Sequence, residues 1–292
     1  MLGKPKLPFI FSDANRLDHE FYSGYDERFL NRKVHVLGTL LESSDLLNQF
    51  VDTKNEPDEV VRMRHALAAE VLFTEFHQFE SFFAMLVAPF QQLPHWIFLN
   101  TYSPGEIKSK ARQFIAGEFK ELSNNPASNR DVFLQDAVYH GYASGESEEE
   151  WKSTLENLWW IIYRMAEKYI AADEYNSYKH GLRMMSARST LAMSGNPTDF
   201  SKAFVTHSHH SITHLKFDKT AQGTLVSIET KAFNPLESQA HVQIMADILA
   251  NIKRIRLAAL DGQERVEMTL FSKFDREALQ KLVASQRWAF SA

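Results

Sequence analysis

The sequence predicts a mainly α protein: a helical bundle over residues 1–190, then a smaller α+β section over 191–292 that contains a β-hairpin. Three observations carry that prediction. Apolar residues recur at helical spacing through much of the first 190 positions, as in Val34, Leu37, Leu40, Leu41 and Leu47. Helix-start signatures precede later runs, the clearest being Ser103-Pro104-Gly105-Glu106 and Ser147-Glu148-Glu149-Glu150. After residue 210 the pattern turns from helical to alternating, over 212–217 and again over 224–233.

Taken in order, residues 1–25 read as an irregular arm, and 26–51 as a helix closing at Val51. A polar connector over 53–57 ends in Pro57, which suits the first turn of the next helix. That helix, over 58–88, is rich in phenylalanine. Leu72, Phe76, Phe79 and Phe83 give it an apolar face, and Glu70, Thr74, His77 and Ser81 a narrow polar stripe. Pro89 and Pro94 interrupt the period, so 91–96 is an irregular piece. The box at Ser103 opens a helix to 119. A loop over 124–129 precedes a short helix over 131–140.

The second box, at Ser147, sets three acids at the positive end of a helix. Trp159, Ile162, Tyr163, Ala166 and Ile170 share its apolar face, and Trp159 and Trp160 read as core packing. Residues 186–204 show little periodicity and mark the boundary between the two parts. Turn residues over 219–223 join the alternating runs into a hairpin. Asn234 caps a helix reaching Asp261-Gly262, with Val242, Met245, Ile248, Leu249, Ile252 and Ile255 in period. Val266, Met268 and Leu270 alternate as a further strand, and 275–286 forms a last helix.

Composition narrows the functional classes. No cysteine is present, which excludes disulfides, thiolate metal sites and cysteine nucleophiles, and fits a reducing cytoplasm. The longest nearly uncharged apolar run, 82–90, is far below the roughly 20 residues of a membrane helix. The N-terminal residues lack a signal-peptide core. The expectation is a soluble cytoplasmic protein without a membrane partner. A formal net charge of −5 requires any nucleic-acid contact to be local. Phosphate-loop, dinucleotide, nucleophile-elbow and His-Glu-x-x-His motifs are absent.

The chemically richest stretch is 172–183, Ala-Asp-Glu-Tyr-Asn-Ser-Tyr-Lys-His-Gly-Leu-Arg. Asn176, Lys179, His180 and Arg183 stand at i, i+3, i+4 and i+7, one stripe on a helix face. Such a face suits a phosphate. Arg183 supplies a planar fork and His180 an acid or base near neutral pH. A solvated helix face is the ordinary alternative. The run 175–180 resembles the Arg-Asn-x-x-x-His element of HEPN domains, with Asn176 and His180 at the Asn and His positions and Tyr175 where the motif has Arg. The resemblance implies a helical bundle, commonly dimeric, of a kind that includes metal-independent RNases of bacterial toxin and antiviral systems. It implies His180, Asn176 and Arg183 as catalytic residues, Lys179 and Tyr175 as substrate-binding residues, RNA as the partner and a homodimer, with no cofactor and no metal.

Two other readings compete. One is a non-catalytic interaction module using the same face or the Phe-rich helix. The other is a metal-dependent enzyme built on Glu70 and His77, or on His207, His209, His210 and His214, since neutral imidazoles ligate zinc, nickel and copper. Lys253, Arg254 and Arg256 form a basic edge, read as a solvated face.

Overall fold

The computed structural model describes residues 11–51, 58–91, 93–142, 145–172, 184–186, 189–193, 204–208, 210–220 and 223–284; for most of the strand residues it describes the backbone alone. The fold is mainly α, with a β-hairpin following the helical part.

The opening residues depart from the expected irregular arm, because Phe11–Gly24 forms helix α1. Tyr22 is fully buried there, and its ring meets Phe21 edge-on. The expected helix over 26–51 divides in two. Helix α2, Phe29–Glu42, ends where the Ser43 side chain accepts from Leu46 N–H and caps the short helix α3, Ser44–Asn48. A serine hydroxyl that satisfies an orphan backbone donor stops one helix and starts the next.

Helix α4, Glu59–Val87, is the expected long helix, and Leu72, Phe76, Phe79 and Phe83 are all buried. A 3₁₀ turn, Ala88–Phe90, follows, and α5, His95–Thr101, begins directly after Pro94. Helix α6, Pro104–Ala116, starts at the predicted capping box, with both reciprocal hydrogen bonds present. It stops earlier than expected because Gly117 takes φ +75°, a left-handed cap that costs glycine least. Helices α7, Phe119–Ser123, and α8, Arg130–Tyr139, follow. Phe90, Phe114, Phe119 and Phe133 pack with centroids 5.0–5.9 Å apart.

Helix α9, Glu148–Ile170, opens on its three acids. Its core stripe is Leu155, Leu158, Ile162, Met165 and Tyr169. Trp159 and Trp160 are therefore not the core residues they were expected to be. Both are half-buried, Trp159 against Arg130 and Tyr163 and Trp160 against Phe274.

Strands β1, Met184–Ser186, β4, Ser211–Thr220, and β5, Gly223–Ala232, form a three-stranded antiparallel sheet in the order β1-β4-β5. The predicted hairpin is β4–β5, in register from Ser211↔Ala232 to Thr220↔Gly223. Strands β2, Ser189–Met193, and β3, Phe204–Ser208, pair separately, and β2 lies within the 186–204 stretch expected to be a boundary of little periodicity. Helix α10, Pro235–Leu260, buries the predicted apolar series from Val242 to Ile255. Residues 266–270 are not a strand, and the last helix, α11, is Arg276–Ala284.

Contacts divide the chain into two compact units, each assembled from separated stretches. The first holds 1–29, 79–170 and 244–274, and the second 30–78, 171–243 and 275–292. This division differs from a single cut between residues 190 and 191. No helix among the described residues is long and apolar enough to cross a membrane.

Candidate functional site

Two buried polar centres stand out, one in each unit. Both begin with a charged residue on an otherwise apolar helical stripe. Glu75 stands three residues after Leu72 and four before Phe79, so helical geometry drives it into the core of α4. His241 and Arg256 occupy equivalent places on α10. His241 lies four residues before Met245, and Arg256 lies four after Ile252.

In the second unit, Glu75 is fully buried. Its Oε2 accepts from Ser238 Oγ at 2.7 Å, and its Oε1 accepts from His241 Nδ1 at 2.5 Å. Ser238 and His241 are three apart on α10, so one helix face presents both donors to one carboxylate. Glu237 Oε1 stands 4.0 Å from the same imidazole nitrogen. A carboxylate that takes Nδ1–H fixes the tautomer and orientation of its histidine.

The polar stripe expected on α4 takes other roles. Glu70 forms an ion pair with Lys33 at 2.5 Å, and Thr74 Oγ1 donates to the Glu70 carbonyl at 2.7 Å. The imidazole rings of His65 and His210 meet edge to face at 5.9 Å, and Phe233 lies 6.0 Å from His210. His207 pairs with Thr190 across β2–β3, and His214 with Met184 and Glu229 across the three-stranded sheet. His209 lies outside the described residues. Among the described residues, no group of three or more His, Asp or Glu is arranged to hold a metal ion.

The centre of the first unit is larger. Arg256 is 4% exposed. One terminal nitrogen donates to the backbone carbonyls of Asp136, at 2.8 Å, and Ala137, at 3.2 Å; the other donates to His140 Nδ1. The guanidinium thus closes the C-terminal end of α8, where unpaired carbonyls concentrate partial negative charge. His140 is the C-cap of that helix, exposed, with φ +52°. From α1 come Tyr22 and Asp18. Tyr22 Oη shares a 2.7 Å hydrogen bond with His95 Nδ1, and Asp18 Oδ2 stands 3.8 Å from that nitrogen.

Burial sets the electrostatics of this centre. Loss of water pushes His95 down to about 3, with the Arg256 charge acting in the same direction. It pushes His140 down to about 4, again reinforced by Arg256. Both imidazoles are neutral at physiological pH, which suits His140 to accept from a guanidinium. Desolvation raises Asp18 and lowers Arg256, because each charged form prefers water.

The basic edge expected on α10 is therefore not a solvated face. Arg256 is interior, Lys253 bonds the Tyr25 carbonyl and Glu27, and Arg254 bonds Asn251 and Thr269. The five residues of the HEPN-like motif, Tyr175, Asn176, Lys179, His180 and Arg183, lie outside the described residues. Sequence reasoning overlooked Glu75, Ser238, His241, Asp18, Tyr22, His95 and His140. The signal available for three of the seven-plus-Arg256 set was a charge or imidazole falling on an apolar stripe. No family model matches the chain, and no curated protein or solved structure matches it.

Proposed function

We propose that the chain is a HEPN-like helical protein that binds or cleaves RNA, with 175–183 as its working segment and a toxin or defence role. One observation carries this reading: Asn176 and His180 are four residues apart in sequence, with Lys179 and Arg183 at the spacing that one helical stripe would have. The mainly α fold is compatible with it. His180 acts as the acid or base at the 2′-hydroxyl or the leaving oxygen. Asn176 orients His180 or the scissile phosphate. Lys179 and Arg183 stabilise charge developing on the phosphate. Two copies supply the groove between them, so the active species is a homodimer.

The test is cleavage and binding of single-stranded RNA by the full chain, with sedimentation to give the oligomeric state. Cleavage lost in His180→Ala and Asn176→Ala, with RNA binding retained, supports the reading. Unchanged cleavage in His180→Ala removes this segment as the site.

A non-catalytic interaction module is the second reading. It is favoured by Tyr175 in place of the motif Arg and by the net charge of −5. Wild-type protein that neither cleaves nor binds RNA selects it. The metal-dependent reading gains no support from Glu70, whose carboxylate is engaged by Lys33.

A further inference from the structure

Within the second unit, Arg64 of α4 holds its charge against a serine of α3, and the match is incomplete. Its Nη2 donates to Ser44 Oγ at 2.8 Å. Its Nε is buried and meets no acceptor among the described residues, and no carboxylate among them pairs with this guanidinium. In a guanidinium, Nε–H and one Nη2–H point the same way along one edge, the fork that takes two oxygens of a carboxylate or a phosphate. Here one tine meets a neutral hydroxyl and the other meets nothing. Ser44 is exposed, at the first position of α3. Ser43 beside it is less exposed and already engaged, because its hydroxyl accepts from Leu46 N–H. Ser44 is therefore the hydroxyl that an enzyme reaches next to the fork.

We propose that Ser44 is a phosphorylation site whose phosphate is held by Arg64. This goes beyond the RNA reading and shares no residue with it. A serine kinase supplies the γ-phosphoryl group of a nucleoside triphosphate. Ser44 Oγ forms the new bond to the γ-phosphorus, and the bond from that phosphorus to the β–γ bridging oxygen breaks. The hydroxyl proton passes to the kinase's base, and the nucleoside diphosphate leaves. The product carries close to two negative charges and three terminal oxygens, attached to the atom that Arg64 already touches. Two of those oxygens match the two tines of the fork. The tether decides between a modification and a free ion. One half-buried arginine holds a free phosphate weakly, whereas a phosphate bonded to Ser44 has already given up the freedom that a free ion would lose. The new pair ties α3 to α4 across the stretch between Asn48 and Glu59. Glu42 and Asp45 flank Ser44 in sequence and disfavour the phosphate, but both are exposed and screened by salt. On α4, Glu59 pairs with Arg62.

The experiment has two arms, both on the full chain. In the first, the protein is isolated from the cells that make it, with phosphatases inhibited, and fragmentation mass spectrometry locates any phosphate. Phosphate on Ser44 is expected. Phosphate on Ser43 alone, or on neither serine, overturns the proposal. In the second, phosphate is installed on Ser44 during biosynthesis, and its second ionisation is followed by phosphorus NMR. That ionisation falls at about 6 in an isolated phosphoserine. A neighbouring cation favours the dianion, so the midpoint in the wild-type chain should lie about half a unit below that of the Arg64→Gln chain, a modest shift because Arg64 is not fully buried. Comparing the two chains cancels the opposing effect of Glu42 and Asp45. Arg64→Lys keeps the charge without the fork, and its midpoint should fall between the other two. Amide exchange in α3 should slow on phosphorylation of the wild-type chain and stay unchanged in Arg64→Gln. Equal midpoints in wild type and Arg64→Gln overturn the proposal. If Arg64→Gln does not fold, the wild-type and Arg64→Lys midpoints decide in the same way.

Discussion

At the scale of single residues, the molecule places ionisable groups where helical periodicity demands apolar ones. His95 gives a measurable consequence. Its folded pKa, about 3, lies below the unfolded value near 6.5, so the unfolded chain takes up a proton first. Its contribution is fully present above pH 6.5 and is lost as pH falls toward 3, at a slope approaching 1.4 kcal/mol per pH unit, about the value for one proton. Asp18, raised by burial, works in the opposite sense just above its ordinary value. The difference between wild type and His95→Gln isolates the histidine. Urea unfolding at pH 4.5 and 7.5 should show a smaller loss of stability at low pH in the variant. Glu75 gives a second consequence. His241→Ala takes the imidazole donor from a buried carboxylate, and should cost about 3–5 kcal/mol in unfolding free energy. Glu75, His241 and Arg256 were legible in outline, because each interrupts an apolar stripe. Asp18, Tyr22, His95 and His140 were not, since they come from separate elements and only packing brings them together.

At the scale of elements, local chemistry decided where sequence reading succeeded. The box at Ser103 is complete in the structure, and Ser103→Ala should cost about 1 kcal/mol by chemical denaturation. Helix α10 was read closely because its apolar series is long and regular. The failures occurred where side chains overrode the pattern. Residues 266–270 alternate like a strand, yet the backbone at Thr269, and that of Phe271 and Ser272 just after it, is met by side chains from helices. Asn251 Oδ1 accepts from Thr269 N–H at 2.7 Å, and Tyr139 Oη donates to the Thr269 carbonyl at 3.0 Å. Asn157 Nδ2 donates to the carbonyls of Phe271, at 2.7 Å, and Ser272, at 3.2 Å. Side-chain partners replaced a neighbouring strand. Asn157→Ala leaves two carbonyls without that donor and should cost about 1–3 kcal/mol. Amide exchange should rise around residues 269–272 before it rises in α9. On α9 the helix is as expected, and only the placement of Trp159 and Trp160 departs from the sequence reading. Apolarity alone does not place them, because such large rings often remain partly exposed.

At the scale of the whole molecule, the fold class was legible because helical and alternating periods occupy different parts of the chain. The division into units was not, because composition changes near residue 190 while packing groups stretches far apart in sequence. Helix α4 passes from one unit to the other between Gln78 and Phe79, and α10 between Gln243 and Ile244. A chain truncated after residue 190 lacks the 244–274 stretch of the first unit and most of the 171–243 stretch of the second. Such a fragment should show no cooperative thermal transition, although it contains nearly every helix of the predicted bundle.

The interleaving also bears on biosynthesis. A protein made of consecutive domains can fold its first domain while the ribosome is still making the second. This chain has no such intermediate harbour. Neither unit is complete until α10 and the segment after it have been made, so the Phe-rich α4 emerges well before the later stretches of both units. Aromatic surface exposed in this way is prone to aggregation until its partners arrive.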